Sequence, residues 1–392
     1  MQIERVVKMK ILHLCLGNYF ADNYSYQENL LTKYHLNMGY DVEVVASQET
    51  FDSNGNTCYT EEARTYFNEN GIKVTRLRYS FPEKINHKMK HYVGVYDAIE
   101  ESKPDVIFVH NCQFLSVFDV IKYLKKHPKV KLFVDSHVDF SNSAKNFLSK
   151  HILHKIIWRF CAQKVNKYAE KFYGVLPARV DFLVNVYGLP KEKCELLVMG
   201  ADDDQIARIE NSNARETKRA EYSVKDDEIL VVTGGKIDLF KQQTLLLMQA
   251  VNEMENEKVK LCVFGSVVPE MKEKFNELLS DKVIYSGWKN TAESYDEFSA
   301  ADIVVFPGRH SVFWEQVAAM GIPMICKKWA GTTHVDMGGN VIFLENDSVE
   351  EIKNAIKEMI ANYENYKNAA KSGKQHFLYS DIAKRSIADI KE

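Results

Sequence analysis

The chain has 392 residues, 45% hydrophobic and 27% charged, and its 51 basic and 54 acidic side chains leave a formal charge of −3. Such a length exceeds what one hydrophobic core usually serves, so two domains are expected, and the near-balance of charge argues against a nucleic-acid partner. Seven cysteines with no C-x-x-C spacing argue against a disulfide framework or a cysteine zinc site and fit a reducing compartment. No apolar stretch approaches the ~20 residues that cross a bilayer. Ile11–Leu16 is short and carries His13, so the start reads as a first strand rather than a signal peptide, and a cytoplasmic protein is expected.

Short apolar runs alternate with stretches of helical period, the pattern of a parallel sheet covered on both faces. In chain order the first half predicts strands at 10–16, 41–46, 73–78, 106–110 and 132–136, with helices at 26–38, 61–69, 89–102 and 114–126. Periodicity fades between Asp202 and Lys225, which marks a boundary. The second half predicts strands at 229–233, 259–264, 282–286, 303–306 and 323–326, with helices near 241–255, 270–279, 295–299 and 312–320. The expectation is two doubly wound, Rossmann-like α/β domains at 1–202 and 203–375, with a last helix at 376–392 crossing back to the first. Strand C-termini of both would face a central cleft, where open α/β sheets bind ligands.

Val231-Val232-Thr233-Gly234-Gly235-Lys236 is a strand entering a glycine turn, and Lys241 follows at the start of an apolar helix. Glycines admit a ligand close to the backbone, a helix N-terminus offers free N–H groups, and two ammonium groups suit a diphosphate. At an effective dielectric of ~20 each contact pair is worth ~4 kcal/mol. The plainer reading is a turn with two solvated lysines. Further on, Pro307 ends a strand, Ser311 is placed to cap the next helix, Glu315 falls in its first turns, and Gly321 and Pro323 end it. A carboxylate so placed can accept two ribose hydroxyls; its plainer role is to favour the helix dipole.

Gly235-Lys236-x-x-x-x-Lys241 is similar to the G-R-x-x-x-x-K segment of retaining glycosyltransferase family 4, with Lys236 standing where Arg is usual. The resemblance runs from Met9 to about Phe377 and includes Met9–His13, Met199–Asp202, Val263-Phe264-Gly265 and Tyr285-Ser286-Gly287-Trp288. It implies a GT-B fold, a nucleotide-sugar donor, retention at the anomeric carbon, and no metal or other cofactor. It further implies that Lys236 and Lys241 bind the donor diphosphate, that Gly234, Gly235 and Gly265 line it, and that Trp288 borders the base. The family's paired glutamates are absent in strict form: Gln316 and Gly308 occupy those positions, so Glu315 is expected on the ribose through a one-residue offset. His310 or Arg309 would then meet the sugar, with Ser311 and Gln316 also on the donor side.

The resemblance implies a glycine turn at the donor phosphate after the first strand, where this chain has only Gly17; the aromatic Tyr19, Phe20 and Tyr24 of that loop are expected at the acceptor, although a packed loop would use the same residues. His137 resembles a family histidine near the donor sugar. Between Lys145 and Lys171 seven basic side chains face Glu170 alone, interleaved with Ile152, Ile156, Trp158 and Phe160. That pattern fits either a solvated amphipathic helix or contact with an anionic membrane surface, which would make the protein peripheral at the inner face. Asp202-Asp203-Asp204 reads as a solvated turn rather than a metal motif, and the histidine pairs 87/91 and 151/154 lack a third ligand. The expected reaction is sugar transfer to a hydroxyl of a glycan or lipid-linked acceptor in cell-surface polysaccharide synthesis. Alternatives are an epimerase on the same fold and a non-catalytic scaffold.

Overall fold

The computed structural model describes residues 8–51, 57–60, 62–144, 146–239, 242–254, 258–388 and 390, with backbone alone at 83, 84 and 86. Lys241 therefore lies outside the described residues. The chain divides into two compact units, Met1–Val198 with Ile382–Glu392, and Met199–Asp381.

The strands of the first unit are β1 (Lys10–Cys15), β2 (Asp41–Ser47), β3 (Glu49–Phe51), β4 (Thr57–Tyr59), β5 (Thr65–Phe67), β6 (Lys73–Leu77), β7 (Val106–His110), β8 (Lys131–Ser136), β9 (Ala169–Gly174) and β10 (Cys194–Leu196). Eight form one sheet in the order β10-β9-β8-β7-β1-β2-β6-β5, while β3 and β4 pair apart. All neighbours in the large sheet are parallel except β5 and β6. Alternation along the strands sends Leu12, Leu14, Ile107, Val109, Leu132 and Val134 into the larger core. Cys15, Val42, Val44, Ala46 and Val74 line a smaller one on the opposite face. On that smaller-core side the helix Gln27–Asn37 buries Gln27, Glu28, Asn29, Thr32 and His35, a polar set that needs internal partners.

The expected helix at 61–69 is instead the edge strand β5, with Glu61 outside the described residues. Thr65, Tyr66 and Phe67 are β-branched and aromatic, and pairing with β6 decides what a short run of mixed period cannot. The basic 145–171 segment winds as a wide-turned helix over Ser149–Trp158 and an α-helix over Arg159–Val165. Trp158 is buried, so the side that faces out carries Phe147, Ile152, Ile156 and Phe160, and no tryptophan.

The second unit has β11 (Ile229–Gly234), β12 (Val259–Phe264), β13 (Val283–Gly287), β14 (Ile303–Phe306), β15 (Met324–Lys327) and β16 (Val341–Leu344). They form a wholly parallel sheet in the order β13-β12-β11-β14-β15-β16. Numbered within the unit this order is 3-2-1-4-5-6, and the winding reverses between β11 and β14. Asp202–Lys225 is not irregular: it holds helices Asp203–Glu210 and Ala214–Glu221. Asp202 caps the first, accepting the amide of Asp204, and Asp203 accepts the amide of Ser380, so the acidic triplet is capping structure.

Candidate functional site

In the second unit the ends of three neighbouring strands are strapped together by backbone. The Gly235 amide donates to the Phe264 carbonyl at 3.1 Å, and the Gly265 amide to the Gly287 carbonyl at 2.8 Å. A Cβ on Gly234 would lie 2.2 Å from the Phe264 ring, and one on Gly265, whose φ is +121°, would lie 1.9 Å from the Gly235 carbonyl oxygen. No other residue fits either position. The Tyr285 hydroxyl donates to the Gly265 carbonyl at 2.6 Å, adding a side-chain strut.

Lys236 is exposed beside this ledge and has no ion-pair partner among the described residues. The helix Gln243–Glu253 begins shortly after, with no side-chain cap on its first amides. Trp288, just past β13, is 68% exposed, an unusual position for an indole without a ligand to cover it. Gly235, Lys236 and the helix start all belong to the segment after β11, at the edge of the point where the sheet's winding reverses.

Across that point, the loop from Pro307 to Val312 leads from β14 into the helix Phe313–Met320. Gly321, at φ +69°, ends the helix as expected. Ser311 does not cap it by its side chain; its carbonyl accepts the Trp314 amide at 3.0 Å, because the helix starts one residue later than the capping pattern requires, with Val312 at the cap. Glu315 is fully buried, which departs from the expectation of an open ribose acceptor. Its Oε1 accepts from His310 Nε2 at 2.8 Å and from His334 Nε2 at 2.7 Å. Burial alone would raise the carboxyl's pKa; the two imidazoles outweigh it and hold the value at about 2.

Glu315 Oε2, Gln316 Oε1 and His334 Nδ1 are buried without hydrogen-bond partners among the described residues. His310, Glu315 and His334 are the described residues whose spacing would suit a metal ion. Their 2.7–2.8 Å separations are those of hydrogen bonds, since ligands around a tetrahedral zinc stand roughly 3.3 Å apart. The arrangement is best described as one carboxylate fixing two imidazoles, of which His310 is partly exposed.

In the first unit the corresponding reversal lies between β1 and β7. A Cβ on Gly17 would meet the Asn111 carbonyl oxygen at 2.4 Å, so the loop after β1 runs tight against the end of β7. Asn111 Nδ2 donates to Asn18 Oδ1 at 2.7 Å, and Asn18 Nδ2 donates to Glu28. Lys90 donates to the Gly17 carbonyl from a half-buried position, and desolvation lowers its pKa.

His137 follows β8; its amide donates to Asn111 Oδ1 at 2.8 Å, and its Nε2 stands 3.6 Å from Asp135 Oδ1. Phe20 is fully buried, with its carbonyl accepting from Arg76 at 3.0 Å, so it is core and not acceptor surface. Tyr19 and Tyr24 remain partly exposed and pack on Phe51 with ring centroids 5.4 and 5.3 Å apart.

Sequence reasoning missed Asp135, His110, Asn111, Lys90 and His334. Asp135 and His110 end apolar runs, where polar residues at strand C-termini were a usable signal. His334 lies far along the chain from Glu315, and nothing local announces it.

Residues 227–362 match the family described as Glycosyl transferases group 1. The chain is 22% identical over 263 residues to mannosylfructose-phosphate synthase of Agrobacterium fabrum, spanning 62% of this chain and 56% of that relative's length. Its fold is similar to sucrose-phosphate synthase from Thermosynechococcus elongatus, at TM-score 0.64 and 16% identity over 96% of this chain and 97% of the other. It is also similar to UDP-GlcNAc 2-epimerase from Neisseria meningitidis bound to UDP-GlcNAc, at TM-score 0.60 and 12% identity over 97% and 99%. The two parallel-sheet, Rossmann-like units are those of a GT-B fold. Residues 227–362 thus carry a Glycosyl transferases group 1 domain within that fold.

Proposed function

We propose that the protein moves a sugar from a nucleoside diphosphate to a hydroxyl of a glycan or lipid-linked acceptor, with retention, in cell-surface polysaccharide synthesis. The observation that carries this reading is the glycine ledge at the reversal point of the second unit, with exposed Lys236 beside it. A diphosphate on that ledge meets backbone and ammonium together, and Lys236 with Lys241 offsets the charge that grows as the sugar–phosphate bond breaks. Trp288 offers a face on which a base can stack. The leaving phosphate oxygen takes the proton of the acceptor hydroxyl as the new glycosidic bond forms on the same face, so neither a protein nucleophile nor a divalent cation enters the scheme. His310, held by Glu315, is the donor-sugar contact in the second unit, and His137 is the first unit's candidate catalytic residue.

Membrane contact is part of the proposal. Phe147, Ile152, Ile156 and Phe160 are 76%, 40%, 62% and 52% exposed, with Lys150, Lys155 and Lys164 among them. No helix among the described residues is long and apolar enough to cross a membrane, so this strip would dock on a lipid surface rather than enter it.

Lys241→Ala and Lys236→Ala should each lower kcat/KM at least ~tenfold, about 1.4 kcal/mol, in transfer from the nucleotide sugar that most raises the melting temperature. Wild-type turnover in both would end the assignment. The likeness to an epimerase keeps a second reading in view, and product formed without any acceptor would select it. The carboxylate-free Gly308 motivates a third, a scaffold, which a lack of thermal shift with any nucleotide would favour.

A further inference from the structure

A row of polar side chains crosses the interior of the first unit. His35 Nε2 lies 3.0 Å from Ser386 Oγ and 3.1 Å from the Ala383 carbonyl oxygen. His35 Nδ1 lies 3.0 Å from His13 Nε2, His13 Nδ1 lies 3.0 Å from His110 Nε2, and His110 Nδ1 lies 2.7 Å from Asp135 Oδ2. Gln27 Nε2 also reaches that Asp135 oxygen at 3.3 Å. All five of His13, His35, His110, Asp135 and Ser386 are 0% exposed. The other Asp135 oxygen accepts the Asn111 amide at 3.1 Å and stands 3.6 Å from His137 Nε2. The row thus runs from the C-terminal helix Tyr379–Ser386 to the His137 site.

Each nitrogen–nitrogen contact holds one proton, so the order of protons is set by the ends. With three neutral imidazoles and an ionised Asp135, His110 carries its proton on Nδ1 and accepts from His13 Nδ1–H. His13 Nε2 then accepts from His35 Nδ1–H, and His35 Nε2 needs a donor. The Ala383 carbonyl can only accept; the Ser386 hydroxyl can donate. Adding one proton reverses the order. His35 Nε2–H then points at the Ala383 carbonyl, His13 donates through Nε2, and His110, protonated at both nitrogens, neutralises Asp135. Ser386 tolerates either order, since its hydroxyl also reaches the Ala383 carbonyl at 2.8 Å.

We propose that Ser386 is a remote positioning residue of the His137 site: its hydroxyl permits the neutral order of the imidazole row and so leaves the Asp135 charge to act on His137. The charged groups facing the row agree with where a proton would settle. Burial disfavours charge on His13 and His35, and the neighbouring imidazoles add to this. On His110 burial is outweighed by Asp135 from β8, with Glu28 of the Gln27–Asn37 helix acting in the same direction. The proton order rests on the first unit alone; only its effect on catalysis rests on the proposed transfer reaction.

The test is a ¹⁵N-histidine titration of the full chain by NMR. In the wild type above the His110 midpoint, His13 and His35 should be Nδ1–H tautomers, and an Nε2–H tautomer on His13 there overturns the proposal without any variant. In Ser386→Ala the His110 midpoint should rise by ~0.5 pH unit or more, a threefold gain in proton affinity, and Ser386→Thr should restore it. An unchanged midpoint in folded Ser386→Ala overturns it as well. The pH profile of sugar transfer should move with that midpoint. An absent transfer activity beside a shifted midpoint counts against the transfer reading and leaves the proton order standing.

Discussion

The two units share a six-strand order, to which the first adds β5 and β10 at its edges, and they differ in what their polar groups are made of. At the ends of β11, β12 and β13 the second unit presents backbone: glycines at 235, 265 and 287, cross-bonded amide to carbonyl, with few side chains involved. The first unit runs a side-chain seam through its interior, from Ser386 through three imidazoles to Asp135. A backbone site tolerates no added atom but ignores titration. A side-chain seam tolerates small changes in shape but responds to every proton. The contrast predicts different ways of damaging each unit.

The largest effect expected is steric and confined to the second unit. Gly265→Ala forces a Cβ against the Gly235 carbonyl oxygen at a left-handed φ, and should cost about 3 kcal/mol or more. Urea unfolding followed by segment-resolved hydrogen exchange should place the loss in residues 199–381; a loss spread evenly over both units would break the comparison.

Acid should do the opposite. His35 is held at about 4 and His154 at about 4, both chiefly by desolvation, and His13 is lowered too. Groups depressed in the fold stabilise it fully above their unfolded value near 6.5, and that stability is lost as pH falls towards 4, by up to about 3 kcal/mol for His35. His110, whose pKa is raised by Asp135, works against this trend with a single proton. Glu315 of the second unit, at about 2, keeps its contribution until pH drops below ~4.5 and loses it towards 2. Between pH 6.5 and 4.5 hydrogen exchange should therefore accelerate in the first unit first. Earlier opening of the second unit would contradict this.

The smallest effect concerns the exposed strip. Replacing Phe147, Ile156 and Phe160 together by Ser should change stability by less than ~0.5 kcal/mol per site, as surface changes do. Co-sedimentation with vesicles containing anionic lipid should nevertheless fall several-fold; unchanged sedimentation would leave the strip as an ordinary solvated face.

Sequence reading found the second unit's site more readily than the first's for the same reason. Gly234, Gly235 and Gly265 mark backbone that must approach something closely, and each sits at the end of an apolar run, so a local pattern carries the information. The seam has no local pattern. His13 and His110 are 97 residues apart, and His35 and Ser386 are 351 apart; each looks like an isolated polar residue until the sheet and the returning C-terminal helix bring them together. His334 of the second unit eluded the sequence in the same way, since it meets Glu315 only after β15 and its loop have folded back. The mistaken helix at 61–69 and the missed helices at 203–221 were short segments, in which pairing or packing outweighs propensity.

By itself the sequence determined the α/β alternation, the two-unit organisation, the glycine ledge with Lys236, and the basic character of 145–171. Those rest on periodicity, conformational freedom and charge, which are properties of neighbours along the chain. Tertiary structure alone decided that Glu315 is buried between two histidines, that Phe20 and Trp158 face inward, and that a proton row links Ser386 to Asp135. Those depend on which distant side chains share a dry interior, where each polar group must find a partner.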